Sequence, residues 1–205
     1  MEPEVREVIQ AGGTYIVDES QSRLSVALFD SGVGAGRDGL YFTSEPNEHA
    51  RMHLAHPDRT ELVWVTDITA PGAIKPAMIE QLNARRERFL EKHKSSIMLL
   101  DIFPTLTSAN DFGHVFKFLS IMRDDTHQRD SIIIISLDSR SLEPAQFRKI
   151  RRLAREVFSE ENPPDIRMPG VPLMEGTTYI LKAGEKRGYR MALGAAAAGK
   201  RVLCI

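Results

Sequence analysis

Short apolar runs rich in β-branched residues alternate with amphipathic stretches along most of this chain. The apolar runs predict strands at about Thr14–Asp18, Leu40–Thr43, Leu62–Thr66, Ile97–Asp101 and Ile132–Leu137. The amphipathic stretches predict helices at about Gln21–Gly34, Asn47–Ala55, Pro76–His93, Asp111–Asp125 and Pro144–Phe158. Continuous apolar strands alternating with helices are typical of a parallel sheet covered on both faces. The pattern therefore predicts an α/β fold with three layers, αβα, and a mostly parallel sheet.

The pattern breaks after Phe158, and its beginning then recurs. Residues 160–174 are rich in proline, which withholds backbone donors from helices and sheets, so we interpret them as a linker. Gly176-Thr177-Thr178-Tyr179-Ile180-Leu181 repeats the pattern of Gly12-Gly13-Thr14-Tyr15-Ile16-Val17. The sequence thus predicts a domain over 1–159 and a partial second copy, β-α-β, over 175–205. The strand expected at Val202–Ile205 is a candidate for homodimerisation.

The net charge, the cysteine count and the length of the apolar runs each exclude some classes of function. Of 205 residues, 42% are hydrophobic and 27% charged, and the formal net charge is -1, so no global field draws the chain to nucleic acid or to an anionic membrane. Cys204 is the single cysteine, which excludes a disulfide within the chain and a cysteine metal cluster. The longest apolar runs fall far short of the roughly 20 residues of a membrane helix. We expect a cytoplasmic protein with no membrane contact.

A phosphate-binding loop is missing where the fold would place it. Such a loop needs glycines, a lysine and a Ser/Thr between the first strand and its helix. Here the first strand continues as Asp18-Glu19-Ser20-Gln21-Ser22-Arg23-Leu24, which contains no glycine and adds two acids where an anion would bind. The GxxxxGK motif at Gly194–Lys200 and the GxGxxG motif at Gly34–Gly39 both precede strands, the reverse of the required order. We interpret the latter glycines as a helix end.

Other polar residues have an alternative interpretation each. Asp101 ends an apolar strand, where P-loop enzymes keep a metal-associated acid, but a carboxylate there also caps strand ends. Glu45 follows the second strand, and Pro46 stands where a second carboxylate would be needed. His49, His53 and His56 have spacing that suits either a zinc site or a partly solvated helix face, and we predict no metal.

Two basic groups point to solvated faces or to a docking surface. The larger lies opposite the apolar stripe of the last predicted helix, and a smaller one comprises Arg85, Arg86 and Arg88. Either an acidic partner or nucleic-acid phosphates would suit such a surface, although no aromatic residues interleave with the arginines to stack on bases. The larger group contains Arg148, Lys149, Arg151, Arg152 and Arg155.

Several sequence blocks have a distinctive order and spacing: Gly13-Thr14-Tyr15-Ile16-Val17, Gly39-Leu40, Val63-Trp64-Val65-Thr66, Ile97 to Leu106, Ala109-Asn110-Asp111-Phe112 and Ser131-Ile132-Ile133-Ile134. Together they resemble one archaeal family, the domain of unknown function 835. The resemblance covers about residues 12–157 and implies a degenerate relative of the KaiC and RecA ATPases that lacks the Walker A loop. It would place Arg23 near the phosphate-loop lysine, Glu45 near the catalytic glutamates, and Asp101 at the Walker B acid.

The sequence and the resemblance together favour a protein without catalytic activity. We expect an interaction or regulatory module with no cofactor and an unidentified protein partner. One alternative is residual nucleotide or small-molecule binding at the carboxyl edge of the sheet through Arg23, Glu45 and Asp101. Another is binding of nucleic acid or an acidic partner through the helix Arg148–Arg155.

Overall fold

A computed structural model describes residues 9–20 and 23–159. The predicted linker 160–174 and the predicted partial repeat 175–205, with its candidate dimerisation strand, lie outside the described residues. Six strands form a single sheet in the described part. They are β1 (Thr14–Asp18), β2 (Asp38–Thr43), β3 (Thr60–Trp64), β4 (Ser96–Asp101), β5 (Ser131–Leu137) and β6 (Glu156–Ser159).

All of these strands are parallel, in the order β3-β2-β4-β5-β1-β6. The connecting helices are α1 (Arg23–Gly34), α2 (Asn47–Met52), α3 (Ile79–Lys92), α4 (Phe103–Ala109), α5 (Phe112–His127) and α6 (Pro144–Arg151). Short 3-10 helices at Pro57–Arg59 and Ser139–Ser141 complete the connections. The predicted α/β class and three-layer arrangement are confirmed.

The two faces of the sheet bury separate sets of apolar side chains. Along β5, Ile132 and Ile134 pack with α1 and α2, whereas Ile133 and Ile135 pack with the other four helices. All four isoleucines are at most 1% exposed, because successive side chains of a strand point to opposite faces and both faces are covered. The unbroken apolar runs in the sequence thus mark the interior strands.

Helix α1 ends at the glycines that the sequence analysis interprets as a helix end. Gly36 has a φ of 108°, a backbone conformation that favours glycine. Its N–H donates to the carbonyl of Val33 at 3.0 Å, and the N–H of Arg37 donates to the carbonyl of Gly32 at 3.3 Å. This paired bonding is a Schellman helix end, and it turns the chain into β2.

The predicted helix over Pro144–Phe158 is wrong in its second half. Helix α6 stops at Arg151, where the N–H groups of Leu153 and Ala154 donate three residues back and tighten the chain. Val157 lies in β6 beside β1, not on a helix face. Phe158 stacks on Tyr15 with ring centroids 5.8 Å apart. The apolar residues that suited a helix are equally suited to a short strand that covers the edge of β1.

The sequence groups Arg86 with the basic residues Arg85 and Arg88, but Arg86 is not exposed. Its side chain is fully buried between α3 and α5, where one guanidinium nitrogen lies 2.6 Å from the carboxylate of Asp125. A second nitrogen donates to the side chain of Asn83 at 3.1 Å. A third, Nη1, has no hydrogen-bond partner. The arginine is a buried structural residue, whereas Arg85 and Arg88 are exposed.

Candidate functional site

The carboxyl ends of the parallel strands meet at one edge of the sheet, where open α/β sheets bind ligands. Strand β2 ends at Thr43 beside Asp101 of β4, so Asp101 and Glu45 lie on neighbouring strand ends. Strand β5 separates β4 from β1. With strands roughly 5 Å apart, the end of β1 therefore lies about 10 Å from Asp101. Arg23 opens α1 directly after the β1 turn, and its side chain lies outside the described part.

The turn between β1 and α1 is closed by the side chain of Glu19. This side chain is buried, with 6% of the residue exposed. Its carboxylate accepts the backbone N–H of Leu24 at 2.8 Å and that of Ser25 at 3.1 Å, and the hydroxyl of Ser136 donates to it at 3.1 Å. The first N–H groups of a helix have no partner within the helix and attract anions. Glu19 therefore supplies from within the chain the negative group that this helix end accepts.

The same turn is tied to the neighbouring strand β5. The N–H of Glu19 donates to the carbonyl of Leu137 at 2.9 Å. The carboxylate of Asp18 accepts the N–H of Ser139 at 2.8 Å. The carboxylates of Asp18 and Glu19 thus both accept backbone N–H groups, and the turn has a fixed position against the end of β5.

Asp101 accepts a hydrogen bond from a buried tyrosine. The Tyr41 hydroxyl lies 3.1 Å from the Asp101 carboxylate, and its ring packs near Phe29 at a centroid distance of 5.9 Å. Burial, and then the negative charge of Asp101, raise the pKa of Tyr41 far above its ordinary value of 10. The phenol therefore stays protonated at neutral pH. It is a hydrogen-bond donor that positions Asp101, and it is not available as a base.

Glu45 lies beside this pair on an exposed loop. Its N–H donates to the hydroxyl of Thr43, a buried residue, at 3.0 Å. The Glu45 side chain is exposed, and its charge makes a further small contribution to the raised pKa of Tyr41. Most charges at this edge are acidic and belong to Asp18, Glu19, Glu45, Asp101 and Asp138, of which Asp138 pairs with Arg140. An acidic edge is a poor environment for a polyphosphate.

The three histidines do not converge with other ligands. His49 lies on α2, His53 follows it and His56 precedes the first 3-10 helix. Among residues 9–20 and 23–159, no group of three or more His, Cys, Asp or Glu side chains is placed to hold a metal ion. His56 instead packs against α1, where a Cβ at Gly34 would lie 2.9 Å from its Nε2.

The larger basic group forms one exposed surface at the end of α6 and in the turn that follows. We call it the α6 basic surface: Arg148, Lys149, Arg151, Arg152 and Arg155. Arg155 lies in the turn before β6 and donates its backbone N–H to the carbonyl of Thr14 at 2.8 Å. Since α6 returns from the carboxyl edge to the amino edge of the sheet, these cations lie toward the opposite edge from Asp101.

The sequence model of one protein family, described as Protein of unknown function (DUF835), matches residues 18–154. The chain belongs to this family. A search of curated proteins found no match to the DUF835 chain. Its fold is similar to that in the crystal structure of the RadB recombinase. The TM-score is 0.50 at 9% sequence identity, and the alignment covers 74% of this chain and 75% of that one. The DUF835 domain therefore has a RecA-like fold.

Two residues of this DUF835 edge were missed as functional in the sequence. The sequence predicts that Glu19 repels phosphate, and the structure adds that its carboxylate accepts hydrogen bonds from the start of α1. No capping pattern reveals this role, because the acceptor precedes its two backbone donors by five and six residues. Tyr41 was considered only as a strand residue. Its signal is a hydroxyl that shares a strand face with Thr43, two residues from the strand end.

Of the described helices, none is long and apolar enough to cross a membrane.

Proposed function

We propose that this DUF835 domain is a non-catalytic relative of the RecA-like ATPases that serves as an interaction or regulatory module. The observation that carries the proposal is the buried Glu19 carboxylate, which accepts hydrogen bonds from Leu24 and Ser25 at the start of α1. In P-loop proteins the corresponding backbone donors bind phosphate. Here these donors already bond to a carboxylate of the same chain.

A triphosphate at this position would either displace the Glu19 carboxylate or lie beside it. Displacement would break three hydrogen bonds to a buried carboxylate, those from Leu24, Ser25 and Ser136. Two unit charges 4 Å apart repel by about 4 kcal/mol at the effective dielectric of a protein surface. A phosphate beside the retained carboxylate would therefore be strongly disfavoured, so both arrangements oppose nucleotide binding.

The position that would hold magnesium lacks its hydroxyl ligand. Leu24 is 5% exposed and belongs to the apolar cluster beneath α1. Mg²⁺ prefers oxygen ligands, and a buried leucine supplies none. Pro46 follows Glu45 where a second carboxylate would be needed, so the edge also lacks the acid pair expected of a hydrolase. These departures support a protein that does not hydrolyse ATP.

The wild-type protein should therefore show no change in melting temperature with Mg·ATP or Mg·ADP at millimolar concentration. A ligand at a hundred times its Kd would add about 2.7 kcal/mol of stability. For a chain of this size that corresponds to a rise of about 5–10 °C, which differential scanning fluorimetry readily measures.

A saturable rise would contradict the proposal, and one variant would show what replaces it. The alternative function is ligand binding at the carboxyl edge, which the adjacent polar groups of Tyr41, Glu45 and Asp101 favour. A rise that disappears in Asp101→Ala would support this alternative. A rise retained in Asp101→Ala would argue against this alternative as well. A cytoplasmic location and an unidentified protein partner are further parts of the proposal.

A further inference from the structure

Most arginines elsewhere in the described part pair with a carboxylate, with Arg51, Arg88 and Arg129 as exceptions, whereas the α6 basic surface has no such pair at any of its five positions. Six arginines elsewhere in the described part have a carboxylate within 4.0 Å: Arg37, Arg59, Arg85, Arg86, Arg123 and Arg140. None of the five cations of the α6 basic surface has such a carboxylate among the described residues, and all five are exposed. No carboxylate of the described part competes for these cations, so they can pair with charges on another molecule.

The helix dipole explains only part of this charge. Cations in the last turn of a helix are stabilised by its unpaired carbonyl groups. Arg148, Lys149 and Arg151 occupy that turn of α6. Arg152 is the C-cap of α6, but Arg155 lies four residues beyond the last helical residue, where the effect has fallen off. The surface is therefore more basic than the stability of α6 requires.

The surface is held on a rigid base. Ile150 is fully buried and Leu153 is 6% exposed, and both belong to the apolar cluster on one face of the sheet. The N–H of Arg155 is bonded to β1. Residues three and four apart on a helix have Cβ atoms about 5–6 Å apart. The Cβ atoms of Arg148, Arg151 and Arg152 thus have a short, fixed spacing, so binding need not order the backbone that carries these side chains.

We propose that the α6 basic surface docks an acidic segment of a partner protein. Arginine pairs with carboxylates through two parallel hydrogen bonds, so a segment with several Asp or Glu residues matches the four guanidinium groups. The inference rests on the proposed function for its role, since it names the class of partner that the interaction module binds.

A protein segment fits the surface better than nucleic acid does. Arg148 to Arg152 spans roughly 6 Å at about 1.5 Å per residue, and Arg155 adds only the turn that follows, so the surface is short for the many phosphate contacts that give nucleic acid its affinity. The chain has a net charge of -1, so it offers little further positive charge to a long polyanion beyond this surface. A compact acidic segment needs no further basic surface.

The test measures fluorescence anisotropy of a labelled hexaglutamate peptide titrated with the full chain at low salt. Arg151→Glu combined with Arg152→Glu should weaken binding at least about tenfold, since attraction becomes repulsion at two adjacent positions. The control is Arg88→Glu with Lys92→Glu, which makes the same charge change on the exposed face of α3. The control should bind within about twofold of wild type, because a specific docking surface does not depend on net charge alone.

Three results would overturn the proposal: no measurable binding of the peptide by wild type, equal loss of affinity in both double variants, or tighter binding of a labelled single-stranded or duplex oligonucleotide than of the peptide at physiological salt. If the glutamate pair does not fold, Arg151→Gln with Arg152→Gln removes the charge without reversing it and should still weaken peptide binding. No nucleotide is needed, so a failure here is distinct from a nucleotide-induced thermal shift, which would overturn the proposed function.

Discussion

Asp125→Ala should lower the free energy of unfolding by about 3 kcal/mol, because it leaves the buried Arg86 with only the more distant and exposed carboxylate of Glu87, 3.7 Å away. The carboxylate of Asp125 lies 2.6 Å from the guanidinium of Arg86, which is fully buried. Asp125 itself is 38% exposed, so the two partners are not equivalent. Removing the arginine leaves a carboxylate that water can reach, whereas removing Asp125 leaves a cation that water cannot reach.

Chemical denaturation measures this effect, and the adjacent acid provides a matched control. Asp124 pairs with the partly exposed Arg123 and is 61% exposed, so Asp124→Ala should change stability by no more than about 0.5 kcal/mol. For Asp125→Ala we expect a melting temperature about 6–12 °C below that of wild type. Equal stabilities of the two variants would show that Arg86 does not depend on Asp125.

Glu19→Ala should lower the free energy of unfolding by about 2–3 kcal/mol, since it removes the acceptor at the start of α1. The N–H groups of Leu24 and Ser25 and the hydroxyl of Ser136 would each lose a hydrogen-bond partner in a buried region. Loss of a helix cap and burial of unsatisfied donors are among the mechanisms that give large mutational effects.

Glu45→Ala is the control for this variant, since Glu45 is an exposed glutamate at the same edge of the sheet. We expect it to unfold within about 0.5 kcal/mol of wild type by urea denaturation. If Glu19→Ala were as stable as Glu45→Ala, the carboxylate would not contribute to the α1 terminus in solution.

Strands β1, β2, β4 and β5 were predictable because nearly all of their residues are buried, on both faces of the sheet. In β4 the residues Ile97–Leu100 are buried against helices on both faces, so they form an unbroken apolar run. Strand β6 was missed for the opposite reason. It is an edge strand of four residues, and its Val157 and Phe158 also fit the helical spacing of the preceding segment. Short apolar runs do not distinguish a strand from a helix without tertiary context.

The sequence shows which residues the candidate site lacks, but it does not predict which side chains contact each other there. The missing glycines between residues 18 and 24 are visible in the sequence, and so is Asp101 at a strand end. The hydrogen bonds of Glu19 and the pairing of Tyr41 with Asp101 depend on where β5 and α1 place their ends. The burial of Arg86 likewise depends on α5, which follows it by more than twenty residues. Contacts between distant elements are not encoded in local spacing.

The central claim is that the start of α1 is closed to phosphate by Glu19. The most direct measurement follows the backbone amide signals of Leu24 and Ser25 in an assigned ¹H–¹⁵N spectrum during titration with Mg·ATP to millimolar concentration. Both amides donate to the Glu19 carboxylate, so their signals should not move. Saturable shifts of both signals would show that the nucleotide reaches these donors, and the account would be wrong.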